Sequence, residues 1–372
     1  MNIISLVSYP FLPARTGGQK GIALFYKYFS AYHAVTCVTT KKNKPGDASG
    51  YEVLNILSDS RLRYINPFLF FSLRKLIRKK KASHLILEHP YFGWLGILLK
   101  MSTGVKLVVH SHNIEGNRWK TLGKWWWKIL WSYEKMTHRH ADFNFFIQDE
   151  DRKYAIEAFG LRPDKYLTVS FGTEISGPES SDSQAGATRM LRQQFRIADE
   201  RPILLFNGAF QYTPNREALG NLLYRVNPVL QKRNFHYRLL IIGIDIPAAI
   251  AEAEIPDVQV VGYAEDLGLF LHGSQVFLNP VVTGGGIKTK LVEAIAHNLT
   301  AVSSESGAVG VDPALCNGKL LICRDNDWEA FAEAIVKASG LRSFTPPSFY
   351  EHFYWANITG RAARFIEGHS LK

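Results

Sequence analysis

The sequence predicts two doubly wound α/β domains in tandem, and three observations carry the prediction. At 372 residues the chain exceeds one ordinary core. Short branched apolar runs alternate with helical patterns throughout. A triple-glycine turn, Gly284-Gly285-Gly286, separates one such run (276–280) from a helical pattern. A parallel sheet opens onto a ligand at turns of this kind, outside the carboxyl ends of its strands.

Taken in order, residues 2–8 read as a buried strand, followed by a loop through Pro13 to Gly17-Gly18 and a helical pattern from about Gln19. Strands are expected at 35–40 and 51–56, and a helix at 69–81 whose basic end suits a helix C-terminus. Runs 84–88 and 105–110 have the composition of central parallel strands, with a crossover helix over 91–101 between them. A single long helix is expected over 118–140, then a strand at 143–147, a helix from Asp149 and a last strand at 167–170. Residues 173–187 are polar and without apolar period, as in a connection between domains. The alternation resumes with strands at 202–207, 237–243, 258–261, 276–278, 300–303 and 320–323, and helices at 215–231, after the triple glycine, and at 328–338. The pattern over 350–367 is a closing helix, weakened near Gly360.

Composition excludes several classes. Three scattered cysteines lack the spacing of a disulfide framework or metal site and read as core positions. No apolar run is long enough to span a membrane, and 1–7 lack the basic start of a signal peptide, so a cytoplasmic protein is expected. The net charge of +11 is uneven. Residues 1–172 hold 26 Lys/Arg against 12 Asp/Glu, leaving 18 against 21 in the remainder, so a basic surface belongs to the first half.

The glycine turn lets the backbone approach a ligand closely, and the N–H groups of the helix after it favour an anion, so Gly284–Gly286 has the form of a phosphate cradle. Glu293, two turns along that helix, is placed to accept two hydroxyl hydrogen bonds, as from a ribose. Lys288 and Lys290 diverge by about 200° on a helix, so only one is expected at the phosphate unless the helix starts late. Lys290 is the choice, because it shares a face with Glu293. His110 and His112 close a central strand where a ligand crevice opens, His112 being the one past the strand. No third metal ligand stands nearby in sequence, and no metal is expected.

Residues 118–131 hold five of the eight tryptophans. On one continuous helix Trp119, Leu122, Trp126, Ile129, Leu130 and Tyr133 form a core stripe. Lys120, Lys124 and Lys128, with Trp127 and Trp131 beside them, form a face suited to an anionic membrane surface. The same mixture could stack and bind nucleic acid, the less favoured partner.

With these residues placed, the chain resembles the family-4 retaining glycosyltransferases (glycosyl transferases group 1) of GT-B fold over nearly its whole length. The likeness rests on Asp266-Leu267, Val276-Phe277-Leu278-Asn279-Pro280, the run from Gly284 to Ala296, and Ser306-Gly307-Ala308-Val309-Gly310. Gly17-Gly18, His112-Asn113-Ile114-Glu115, Asn207-Gly208, Pro214-Asn215 and Ile241-Ile242-Gly243 add to it. The resemblance implies two Rossmann-like domains facing each other across a cleft: an acceptor domain at 1–172, a linker at 173–200, a nucleotide-sugar domain at 201–345, and a C-terminal helix at 346–372 returning to the first domain. It implies that Glu293 binds the nucleotide ribose, that the Gly286 and Ile287 amides bind the diphosphate, and that Gly17 and Gly18 approach the donor. His112 lies near the transferred sugar, and no cofactor or divalent metal is implied.

Two positions depart from the family pattern. The second glutamate often found eight residues before the helix one is Gly285 here, and the arginine and lysine common after the first strand of the second domain are absent from 207–215. The implied reaction moves a sugar from a nucleotide-sugar donor to a hydroxyl of a surface polysaccharide, lipopolysaccharide or lipid-linked glycan, with retention, at the cytoplasmic face of the membrane. Two alternatives are a non-hydrolysing nucleotide-sugar epimerase and a catalytically weak sugar-nucleotide or nucleic-acid binding protein.

Overall fold

The computed structural model describes residues 1–368 apart from 179 and 199, and the chain divides into two compact units. The first takes in Met1–Gly172 and the helix Trp355–Ile366; the second runs from Thr173 to Tyr354.

In the first unit seven strands, β1 (Asn2–Val7), β2 (Ala34–Thr40), β3 (Glu52–Leu57), β4 (His84–Glu88), β5 (Lys106–Ser111), β6 (Phe143–Phe146) and β7 (Tyr166–Thr168), form one sheet in the order β3-β2-β1-β4-β5-β6-β7. Every pairing is parallel. Strand order reverses between β1 and β4, and at such a switch point the strands' carboxyl ends diverge to leave a crevice. β4 is buried along its whole length, which explains its unbroken apolar run, yet it ends in a charge, Glu88. Helix Trp355–Ile366 packs on helix Gly17–Phe29 in the same unit. Its Gly360 permits the approach, since a Cβ there would stand 2.8 Å from the Tyr32 hydroxyl.

In the second unit β8 (Ile203–Ala209), β9 (Arg238–Ile244), β10 (Val258–Gly262), β11 (Val276–Asn279), β12 (Thr300–Ser304) and β13 (Leu320–Cys323) form a parallel sheet in the order β10-β9-β8-β11-β12-β13. The core on one face joins Leu204, Phe206, Leu239 and Ile241 to Leu219, Leu223, Phe331 and Ile335 of the covering helices. All three cysteines are buried and free.

Four local readings change. The segment expected as a linker contains helix Ser181–Phe195, capped by the Ser180 side chain, and a Cβ on Gly273 would strike its Leu191 and Ala187. Its apolar contacts are too few to register as a period. The closing helix breaks at Tyr354 rather than near Gly360, into Pro347–Phe353 and Trp355–Ile366, and at the break Thr173 N–H donates to the Phe353 carbonyl at 2.7 Å. Gly17 and Gly18 are the first turn of helix Gly17–Phe29 and not loop, because Gln19 reaches back to accept the Arg15 and Thr16 N–H groups at 3.0 Å. The single helix expected over 118–140 is two, Glu115–Thr121 and Trp127–His140, interrupted at Gly123, whose φ of +67° no helix allows.

Candidate active site

The glycine loop of the second unit follows β11 at its carboxyl end. Asn279 fixes the strand's last turn by donating to Ser303 Oγ and to the Gly307 carbonyl, both at 2.9 Å. The Ser304 hydroxyl donates to the Val281 carbonyl at 2.6 Å. The chain then turns through Gly284 (φ +85°) and Gly286 (φ +76°), and the helix begins only at Thr289, with Lys288 as its N-cap residue. A Cβ at Gly284 would stand 2.8 Å from the Tyr212 hydroxyl, whereas Gly285 has nothing within 4 Å. Glycine is therefore enforced at 284 and not at 285.

The late helix start resolves the divergence of the two lysines. Lys288 folds back over the loop, its ammonium donating to the carbonyls of Gly284, Gly285 and Gly286 at 3.0, 3.3 and 2.9 Å. Lys290 reaches β8, donating to the Asn207 carbonyl at 3.2 Å and Asn215 Oδ1 at 3.0 Å, with its ammonium 4.6 Å above the Phe206 ring. Neither has a carboxylate partner among the described residues. Burial lowers Lys288 to about 8 and Lys290, with Lys288 beside it, to about 7. Two adjacent amines held only by neutral oxygens favour an anion. Glu293 lies half-buried on the same helix.

In the first unit the switch point holds a buried polar cluster. Glu88 ends β4 with no solvent exposure. Its Oε1 accepts from the Tyr26 hydroxyl at 2.5 Å and from His110 Nδ1 at 3.1 Å, and its Oε2 accepts from His112 Nε2 at 2.7 Å. Tyr26 is in turn 2.5 Å from Ser5 Oγ. Burial acts to raise the Glu88 carboxyl, but His110 and then His112 outweigh it and hold the group well below the usual carboxylate range. The ligand-type atoms of Glu88, His110 and His112 lie within 4.8 Å of one another, and each histidine stands at hydrogen-bond distance from the carboxylate.

A second carboxylate stands alongside. His89, in the left-handed region at φ +69°, donates its N–H to the His110 carbonyl, and its ring centroid is 4.4 Å from that of His112. Such a backbone costs about 1–3 kcal/mol for a non-glycine residue. His89 Nδ1 lies 3.3 Å from Glu115 Oε1, and Arg118 Nη1 donates to Glu115 Oε2 at 3.3 Å. Burial opposes ionisation of Glu115, yet His89, Tyr91 and Arg118 bring it to about 2. Glu134 accepts the N–H groups of Glu115 and Gly116 at 2.9 Å each, but burial still pushes it up to about 8.

The break at Gly123 rephases the tryptophan segment. Trp131 is half-buried and turned inward: its Nε1 donates to the Tyr154 hydroxyl at 3.0 Å and its ring packs on Phe159. Leu122 and Ile129, expected in a core stripe, are exposed, Ile129 by 67%, and Trp125 is 84% exposed. Lys120, Lys124 and Lys128 are exposed as expected, and Trp127 is half-buried with Lys120 and Lys128 at 4.9 and 5.8 Å from its ring. Phe68 and Phe71, on helix Phe68–Lys80 of the same unit, are also exposed, Phe68 by 74%.

Residues 16–176 match the family described as Glycosyltransferase Family 4, and residues 201–339 match Glycosyl transferases group 1. The chain belongs to the group 1, family-4 glycosyltransferases. Sucrose-phosphate synthase of Thermosynechococcus elongatus is similar over 99% of both chains, at 15% identity and a TM-score of 0.72. HepE of Anabaena, solved with UDP, is similar over 99% of this chain and 100% of its own, at 12% identity and a TM-score of 0.70. WaaG, a glycosyltransferase of lipopolysaccharide biosynthesis, has the same coverage at 13% identity and a TM-score of 0.63. No curated protein matches the chain. The fold is GT-B.

For this glycosyltransferase, motif reading led to the glycine loop and to His112, whose neighbours in sequence are distinctive. It quoted Glu115 without a role and passed over Glu88, His89 and Tyr26. One signal was available: Glu88 closes an otherwise apolar run, and a charge inside a central strand requires partners. Tyr26 stands far away in sequence, and only the pairing of β1 with β4 brings its helix over Glu88.

Proposed function

We propose that this glycosyltransferase moves a hexosyl group from a nucleotide-sugar to a hydroxyl of a surface polysaccharide, lipopolysaccharide or lipid-linked glycan, with retention of configuration. The observation that carries the donor half is the glycine loop with two lysines that lack a carboxylate. In this reading the Gly286 and Ile287 amides and Lys290 receive the diphosphate, Gly285 leaves room beside it, and Glu293 accepts the ribose hydroxyls. Lys288 holds the loop's carbonyls inward, which turns peptide N–H groups toward the anion. His112 contacts the transferred sugar, and the Gly17 and Gly18 amides, at a helix N-terminus, add a second positive pole for the donor. Relatives of the same fold are solved with UDP and with UDP-glucose, which supports a uridine diphosphate donor as the first to try.

For the acceptor half, no described helix is long and apolar enough to cross a membrane. The exposed Trp125, Ile129, Phe68 and Phe71 on the basic first unit suit peripheral attachment at the inner face of the cell membrane, where a lipid-borne acceptor is held close to its donor. The test is a nucleotide-sugar panel scored for thermal stabilisation and slow donor hydrolysis, on the natural protein and Glu293→Ala. Stabilisation by one donor and its loss in the folded variant support the reading; full hydrolysis in Glu293→Ala overturns it.

A further inference from the structure

At the opposite edge of the second sheet, where its strands begin, lies a cavity of about 720 Å³. Pro202, Gln275, Thr300 and Lys319, which line it, each stand at or immediately before the first residue of β8, β11, β12 and β13. The glycine loop follows the last residue of β11, so the whole length of the parallel strands separates the two places.

Lys319 is 3% exposed, and its ammonium has no hydrogen bond or ion pair among the described residues. Its side chain is packed away while its ammonium opens onto the cavity, where the charge is available to an anion that enters. Burial, with Arg342 beside it, lowers Lys319 to about 8, and no carboxylate acts on it in the other direction. Two more cations line the same cavity. Arg342 donates to the Ser339 and Leu341 carbonyls at 2.8 and 3.0 Å, and Arg192 donates to the carbonyls of Ala198 and Arg201. Backbone carbonyls thus hold the Arg342 guanidinium in the wall and contribute to holding that of Arg192, which has a further partner. Glu200 also lines the cavity, but it is exposed and makes no ion pair among the described residues. Phe344, 54% exposed, supplies an apolar ring to the lining.

We propose that this cavity is a second anion site, distinct from the glycine loop, that takes a phosphomonoester with its phosphate against Lys319, Arg192 and Arg342 and its sugar or base on Phe344. Guanidinium and ammonium groups together match a phosphate better than a carboxylate, because the phosphate offers three acceptor oxygens. The cavity exceeds what inorganic phosphate needs, and the exposed ring gives the rest of the ligand an apolar face.

The experiment is isothermal titration of the full chain with inorganic phosphate, glucose 6-phosphate and AMP, with glucose and adenosine as uncharged controls. At least one phosphorylated probe is expected to bind, the controls are not, and saturating UDP leaves the binding in place. Glucose 6-phosphate favoured over AMP assigns a sugar phosphate, and the reverse a nucleotide. Lys319→Met weakens binding by about tenfold or more, which is the loss of one buried charge-assisted contact. Arg342→Gln, a change at an exposed position that leaves the fold intact, weakens it several-fold and tests the same site if Lys319→Met fails to fold. Absence of binding by every phosphorylated probe, binding displaced by UDP, or binding untouched by both substitutions overturns the proposal.

Discussion

His112 Nε2 lies 2.7 Å from Glu88 Oε2, and the carboxylate on which it rests is wholly buried and ionised. A carboxylate only accepts, so His112 Nε2–H donates to it and Nδ1 is the ring nitrogen left for other partners. Glu88 thereby sets the orientation and tautomer of the residue assigned to the sugar. Replacing it with Gln offers His112 a donor as well as an acceptor and removes that preference. Glu88→Gln is expected to lower kcat by about 10- to 100-fold with the donor KM within about twofold, the magnitude of losing an orienting partner. Long-range nitrogen–proton NMR of the His112 ring checks it, showing protonated Nε2 in the natural protein and a changed tautomer in the variant.

The same carboxylate, together with Glu115, makes the first unit acid-sensitive. Glu88 and Glu115 both have folded pKa values below their unfolded ones, so their stabilisation is complete above about pH 4.5. It is lost as pH falls through the lowered values. Thermal melts from pH 7 to pH 3 should show a Tm decline that is shallower in Glu88→Gln than in the natural protein.

The lysines of the glycine loop predict the opposite trend for ligand. With Lys290 at about 7 and Lys288 at about 8, both amines are charged below pH 7 and neutral well above pH 8. A bound diphosphate restores their charge, so binding takes up protons around pH 8 and weakens as pH rises from 6.5 to 9. Calorimetry of UDP in buffers of different ionisation enthalpy measures that uptake, and Lys290→Met should remove the larger share of it near pH 7.5.

Gly284 and Gly285 should separate cleanly. Gly284→Ala places a side chain at φ +85° and against Tyr212, an expected loss of about 1–3 kcal/mol. Gly285→Ala has open space and an ordinary backbone, so its effect should stay within about 0.5 kcal/mol. Denaturant unfolding of both variants checks the contrast, and Gly285→Glu should fold equally well.

On anionic vesicles, Trp125→Ser combined with Ile129→Ser should weaken co-sedimentation by about tenfold or more, as expected from withdrawing two exposed apolar side chains from the interface. Trp131→Ser should instead destabilise the fold, because its ring is packed on Phe159 and bonded to Tyr154. Lys120, Lys124 and Lys128 changed to Glu should abolish the salt-sensitive part of the binding. Vesicle binding unchanged in both surface variants removes this segment from the membrane account.

Most of the architecture was legible because it rests on short-range periodicity. The branched run at 105–110, the glycine turn at 284–286 and the helix carrying Glu293 each announce themselves within about a dozen residues. The errors have a common form. Gly123 interrupts a pattern that keeps its apolar period on both sides, so a helical wheel carried across it placed Trp131 outside and Ile129 inside. Helix Ser181–Phe195 was missed because only one narrow side of it meets apolar neighbours, around Leu191 and Ala187.

By itself, then, the sequence determined two parallel α/β units, the family, and the positions of His112 and the glycine loop, since each depends on local backbone preference or a contiguous motif. The tertiary structure alone decided what those residues touch. Lys288 closes the loop and Lys290 binds β8 because the helix starts at Thr289. Glu88 meets Tyr26 and His112 because parallel pairing aligns the carboxyl ends of β4 and β5 beside the helix that follows β1. Lys319 faces a cavity lined by Arg192 and Arg342 because several strand starts converge there. Apart from those of Lys288, the hydrogen bonds join residues 24 to 83 positions apart, and burial makes their charges consequential only once the chain has closed around them.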